Sequence, residues 1–132
     1  MRFMSMVKSS EAYRQGPPPQ PLMDAVGKLG EEATKAGAMV DMGGLLPSAV
    51  GGCRVRLSKG KLSITDGPFS EAKEVIGGYA VFSVDTKEEA IEWAKRLMHL
   101  HRQHWPEWEG EIELRQMFDG PGCDPNGQPC TP

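Results

Sequence analysis

The chain has 132 residues, 25% of them charged and 39% hydrophobic, with a net charge of −3 at pH 7. That length fits one domain able to bury a core without disulfides or a metal, and the acidic balance argues against a dominant contact with nucleic-acid backbone. No run approaches the roughly 20 apolar residues that span a bilayer, and the opening Met1 to Lys8 is too short for a signal peptide, so a cytoplasmic protein with no membrane partner is expected.

In chain order, residues 2–8 read as a first strand. Ser9 to Gln20 contains Gly16-Pro17-Pro18-Pro19 and is expected to be a loop, because proline removes the donors that regular structure uses. Pro21 suits the first turn of a helix, and Leu22, Ala25, Val26, Leu29, Ala33 and Ala36 recur on one helical face until Gly37 ends it. Gly27 and Gly30 fall inside that helix at about 1 kcal/mol each relative to Ala, which close packing against a neighbour would explain. A second strand is expected over residues 38–45, then a hairpin of residues 53–58 and 61–65 turning at Lys59-Gly60.

Gly78 to Val84 is a strand with apolar residues on both faces. Thr86 and Glu89 form a capping-box pattern ahead of a helix whose core stripe is Ala90, Ile91, Ala94, Leu97 and Met98. Residues 111–118 alternate as a last strand with one buried face. The order β-α-β-(hairpin)-β-α-β predicts an α+β sandwich, an antiparallel sheet with two helices on one face. The other face carries too much apolar surface for water, and a second copy stacked on it is the expected partner. From Gly120 onward, seven of thirteen residues are Gly or Pro, an irregular tail. The cysteines, Cys53, Cys123 and Cys130, have neither the count nor the spacing of a disulfide framework or zinc module, although Cys123 and Cys130 can close a small loop on oxidation.

The most specific segment is Thr65-Asp66-Gly67-Pro68-Phe69-Ser70-Glu71-Ala72-Lys73-Glu74, followed by Gly77-Gly78. It resembles the signature of the DGPF branch of the YCII-related family. The resemblance runs over residues 1–119, through Lys35 to Gly37, Gly44 to Ser48, Ser58 to Lys61, Glu88 to Arg96 and Gly110 to Gln116. It implies a ferredoxin-like fold dimerised in the dimeric α/β-barrel manner, with a pocket between sheet and helices. Some relatives look like small lyases or dehalogenases that pair a first-helix histidine with an aspartate. Here no histidine lies between Pro21 and Gly37, so the dyad is not carried over; Asp41 stands near the aspartate's place without that partner. Branch members are also associated with alternative sigma factors, which links the family loosely to transcription.

Physically, Asp66-Gly67-Pro68 reads as a turn in which Asp bonds the backbone ahead. Asp66 and Lys73 are open to two roles, structural staples or pocket-lining groups. Glu71, Lys73 and Glu74 form a charge run able to hold a polar ligand or position a base, or simply to face water. Downstream, helical phase puts His99 with Glu92, Lys95 and Arg96 on the polar face, while His101 follows Leu97, and His104 follows Leu100, by four. A polar pocket role, a metal and a packing role beside Trp105 and Trp108 are all open to that pair; no metal site is assigned. Arg54 and Arg56 share a face of the hairpin, open to an anion, a partner or water.

Two function classes remain. One is a cofactor-independent enzyme, lyase- or dehalogenase-like, on a small polar or aromatic substrate, with Asp66, His101 and His104 as candidate catalytic residues and Lys73, Glu74, Tyr79 and Arg54 as candidate ligand-binding residues. The other is a non-catalytic ligand- or partner-binding module, with the sigma-factor association as its regulatory setting. No phosphate loop, nucleophile elbow or zinc motif is present.

Overall fold

The computed structural model describes residues 1–14, 17–69 and 74–118. Lys73, Glu71 and the tail with Cys123 and Cys130 lie outside the described residues. The elements are β1 (Arg2–Ser9), α1 (Gln20–Lys35), β2 (Met39–Gly44), the hairpin strands β3 (Cys53–Ser58) and β4 (Lys61–Asp66), β5 (Val75–Ser83), α2 (Lys87–His104) and β6 (Gly110–Gln116). The predicted order holds. Several boundaries shift by one to three residues; β6, expected to run to Phe118, ends at Gln116. β5 begins at Val75 rather than Gly78, because Val75 and Ile76 pair with Ser9 and Lys8. The segment after β1, expected to be irregular, contains a short 3-10 turn at Glu11–Arg14, upstream of the prolines.

β1 is central, antiparallel to β5 on one side (Phe3 opposite Phe82, Ser5 opposite Ala80) and to β6 on the other (Ser5 opposite Leu114). β2 adds to the outer edge of β5, so the strand order is β2-β5-β1-β6. With the helices packed together on the sheet, this is a ferredoxin-like α+β sandwich. The period of two along a strand directs Phe3, Ala80 and Phe82 into a core shared with Ala38, Val84 and Ala90. The intervening Met4, Met6, Tyr79 and Val81 take the face away from the helices, where Val81 is buried and the other three half-buried.

Local chemistry sets the helix ends. α1 closes in a Schellman arrangement: Ala38 N–H donates to the Ala33 carbonyl at 2.9 Å and Gly37 N–H to that of Thr34 at 3.0 Å. Gly37 takes φ of +74°, where a side chain is disfavoured. Thr86 Oγ1 accepts the Glu89 N–H at 3.2 Å, one half of the predicted capping box. α1's two inner glycines differ. Gly30 lies against the Met42 thioether, whereas a Cβ on Gly27 would meet nothing within 4 Å, so close packing explains only Gly30.

The hairpin forms its own two-stranded sheet, and Lys59 and Gly60 both take positive φ in its turn. The Asp66–Phe69 stretch is anchored from across the chain: Gly67 N–H donates to the Gly52 carbonyl at 2.8 Å and Phe69 N–H to Ser48 Oγ at 3.0 Å. Gly67 lies so close to the Ser48 carbonyl that no Cβ fits. Among the described residues Asp66 makes no bond to the backbone ahead of it, and the Phe69 N–H goes to Ser48 instead.

Candidate functional site

The two helices do not close fully on the sheet. Between them lies a cavity of about 520 Å³, floored by β1 and β5 and walled by α1 and α2. From α2 it receives Trp93, Leu97 and His101, three side chains four apart that the 3.6-residue turn stacks in one row, and from the C-cap just beyond it Trp105. α1 contributes Leu22 and Val26, again four apart. The floor is the inward face of β1, where Ser5, Val7 and Ser9 continue the row begun by Phe3.

Ser5 is 2% exposed and Ser9 4%. Neither hydroxyl has a hydrogen-bond partner among the described residues. A buried hydroxyl left unpaired costs about 1–3 kcal/mol, so two of them on an apolar floor are unusual.

At one end the cavity is closed by aromatic rings. Trp108 folds back through its N–H to the Trp105 carbonyl at 3.0 Å, and its ring covers Gly110, where no Cβ fits. Tyr13 meets the Trp105 ring edge-on at 5.9 Å and donates to the Glu107 carbonyl at 3.1 Å. His101 lies 4.4 Å from the Trp108 ring and is paired through Nδ1 with the Leu97 carbonyl at 3.0 Å. Burial pushes the His101 pKa below its ordinary value, opposed by the Leu97 bond. The ring is therefore neutral near pH 7, with Nδ1–H donating and Nε2 holding the free lone pair.

The other sequence candidates are dispersed. His104 is half-buried at the end of α2 but does not line the cavity, and His99 is exposed, its Nδ1 accepting from Arg102 at 2.7 Å. Asp66 is exposed at the end of β4 and does not line the cavity. Arg54 stacks its guanidinium 3.9 Å over the Phe69 ring and, with Glu74, borders a separate hollow of about 300 Å³. Tyr79 reaches the cavity edge, but its ring rests on Gly43 and its hydroxyl donates to Asp41 Oδ2 at 3.3 Å. Of the three residues nominated for catalysis, only His101 is in the cavity. Among the described residues no three His, Cys, Asp or Glu side chains gather as a metal would require.

Ser5, Ser9 and Trp93 were not singled out from the sequence. The signal was present: Phe3-Ser5-Val7-Ser9 puts two polar residues in phase with a buried face. A polar residue in such a row is uninformative until its neighbours are known.

A family model described as the YCII-related domain matches residues 1–104, from β1 to the last residue of α2. No curated protein matches the chain.

Proposed function

The chain belongs to the YCII-related domain family, and we propose that this protein binds a small, largely apolar molecule in the cavity between its sheet and its helices. One observation carries the proposal: a cavity of about 520 Å³, within the range that holds small ligands, retains an unpartnered buried hydroxyl at Ser5. A space left over by imperfect packing has no reason to keep such a group. In this role the paired tryptophans shield one end from water, and α2 is the rigid element that positions the row of side chains facing the ligand.

A cofactor-independent lyase- or dehalogenase-like step on a small polar or aromatic substrate would run through His101. Its neutral Nε2 takes a proton from the carbon beside the leaving group, the C–H electron pair forms the double bond and expels that group, and the imidazolium gives the proton to the departing group. No carboxylate among the cavity's described residues assists. Asp66 and His104 have no part in that step.

The test is a thermal-shift screen of small aromatic and aliphatic compounds at millimolar concentration. Binders raise Tm by linkage, and Val26→Trp, which fills the cavity from α1, abolishes the shift. If no compound stabilises the protein, or Val26→Trp responds as the parent does, the proposal fails.

The partner-binding alternative has its own observation. Val55, Leu57, Leu62 and Ile64 form one face of the β3–β4 hairpin and are between 65% and 73% exposed. We propose a second copy of the chain as the partner, stacked on the bare sheet face of Met4, Met6 and Tyr79, with the hairpin stripe extending the contact.

A further inference from the structure

The cavity's lining restricts the charge of its occupant. Among the described residues that line it there is no aspartate, glutamate, lysine or arginine. An ionised ligand would leave water and meet no counter-charge, a transfer strongly disfavoured in an apolar site. The polar side-chain groups that remain are few and separated. Tyr79 turns its ring onto Gly43 on the opposite sheet face, where its hydroxyl bonds Asp41. His101 has Nδ1 on Leu97, and Trp93, Trp105 and Trp108 bring only indole N–H donors at the helix side. Ser5 and Ser9 are four residues apart on an extended strand, about 13 Å, so a single polar group reaches one of them and not both.

Ser5 is the more demanding of the two. It sits in the middle of the central strand, flanked across the sheet by Ala80 and Leu114, neither of which brings a side-chain donor or acceptor. No described group within the protein satisfies it, and solvent barely reaches it. A ligand atom entering from the helix side is what the geometry leaves.

We infer, building on the proposal that the cavity binds a small molecule, that its ligand is uncharged, with an apolar or aromatic body and one hydrogen-bonding group set against the Ser5 hydroxyl; Ser5 is then the residue that determines specificity. Trp93, Phe82 and Leu22 enclose the body, and Ser5 chooses among bodies of the same shape.

The experiment titrates the full chain by calorimetry at neutral pH with naphthalene, 2-naphthol and 2-naphthoate, one two-ring body bearing no polar group, a hydroxyl or a charge. 2-Naphthol is expected to bind about tenfold more tightly than naphthalene, the worth of one hydrogen bond, and 2-naphthoate more weakly than either. Ser5→Ala removes the preference for 2-naphthol and leaves naphthalene affinity unchanged, whereas Ser9→Ala keeps the preference. Because Ser5→Ala deletes a hydroxyl with no partner, the variant is expected to melt no lower than the parent, which separates lost recognition from lost folding. The inference is overturned if 2-naphthoate binds as well as 2-naphthol, if 2-naphthol has no advantage, if its advantage survives Ser5→Ala, or if Ser9→Ala removes it. Each of those outcomes leaves cavity binding intact. Binding of none of the three to the folded protein overturns the cavity proposal as well.

Discussion

His101 is held neutral because a ring packed against Trp108 is poorly solvated as an imidazolium, and its single bond to the Leu97 carbonyl does not offset that loss. The consequence for stability has a definite sign. With the folded pKa below the ordinary 6.5, the unfolded chain binds a proton that the folded chain resists as pH falls through 6.5. Stability is therefore complete above that value and declines below it. The pair Lys8 Nζ–Glu113 Oε1, at 3.2 Å, depresses the Glu113 carboxyl and raises Lys8, so its own losses come in the carboxylate range and above the ordinary lysine value. Urea midpoints measured from pH 7.5 down to 5.5 should fall in the parent and flatten in His101→Gln. An unchanged slope in that variant would assign the effect to another group.

Among the elements, α1 concentrates the contrast between local propensity and packing. Gly27, Gly30 and Gly37 look alike in sequence and occupy three different environments: open space, the Met42 thioether, and a positive-φ helix terminus. Gly27→Ala should raise stability by up to about 1 kcal/mol, since helix propensity improves with no steric penalty. Gly37→Ala should lower it by about 1 kcal/mol or more, because the Schellman turn needs the left-handed conformation. Thermal or urea melts of the two variants are expected to move in opposite directions. α2 is also amphipathic, but its sheet-side face divides again by depth. Ala90 and Ala94 are buried, while the large residues Trp93, Leu97 and His101 stand around the cavity.

For the whole molecule, the bare sheet face mixes Met4, Met6 and Tyr79 with the charged row of Lys8, Glu111, Glu113 and Arg115. Such a face is soluble enough to exist in a single chain and apolar enough to be covered. Light scattering at micromolar concentration is expected to give twice the chain mass. Met6→Lys puts a cation opposite Glu113, a pairing one chain tolerates, and in the centre of the stacked face, where two copies do not; it should yield a folded monomer. Leu57→Asp on the hairpin is expected to weaken the dimer less. A monomeric parent, or a dimer indifferent to Met6→Lys, would refute the proposed arrangement.

The element order, the helix ends and the hairpin turn were determined by local sequence alone, because caps, prolines, glycines and apolar periods act over a few residues. The same period correctly sent Phe3, Ala80 and Phe82 to one side and Tyr79 and Val81 to the other. The segment with the strongest family resemblance, Asp66 to Phe69, proved to be a turn clamped by Ser48, a partner some twenty residues away that no local rule names. Only the tertiary structure separated His101 from His104, since both satisfy the same helical phase and the difference lies in how Trp105 and Trp108 fold back over the end of α2. Only it identified Ser5. A serine in an apolar row is ordinary wherever a neighbour accepts its proton, and whether one does depends on the strands brought alongside, here with Ala80 and Leu114, which leave the hydroxyl unpaired.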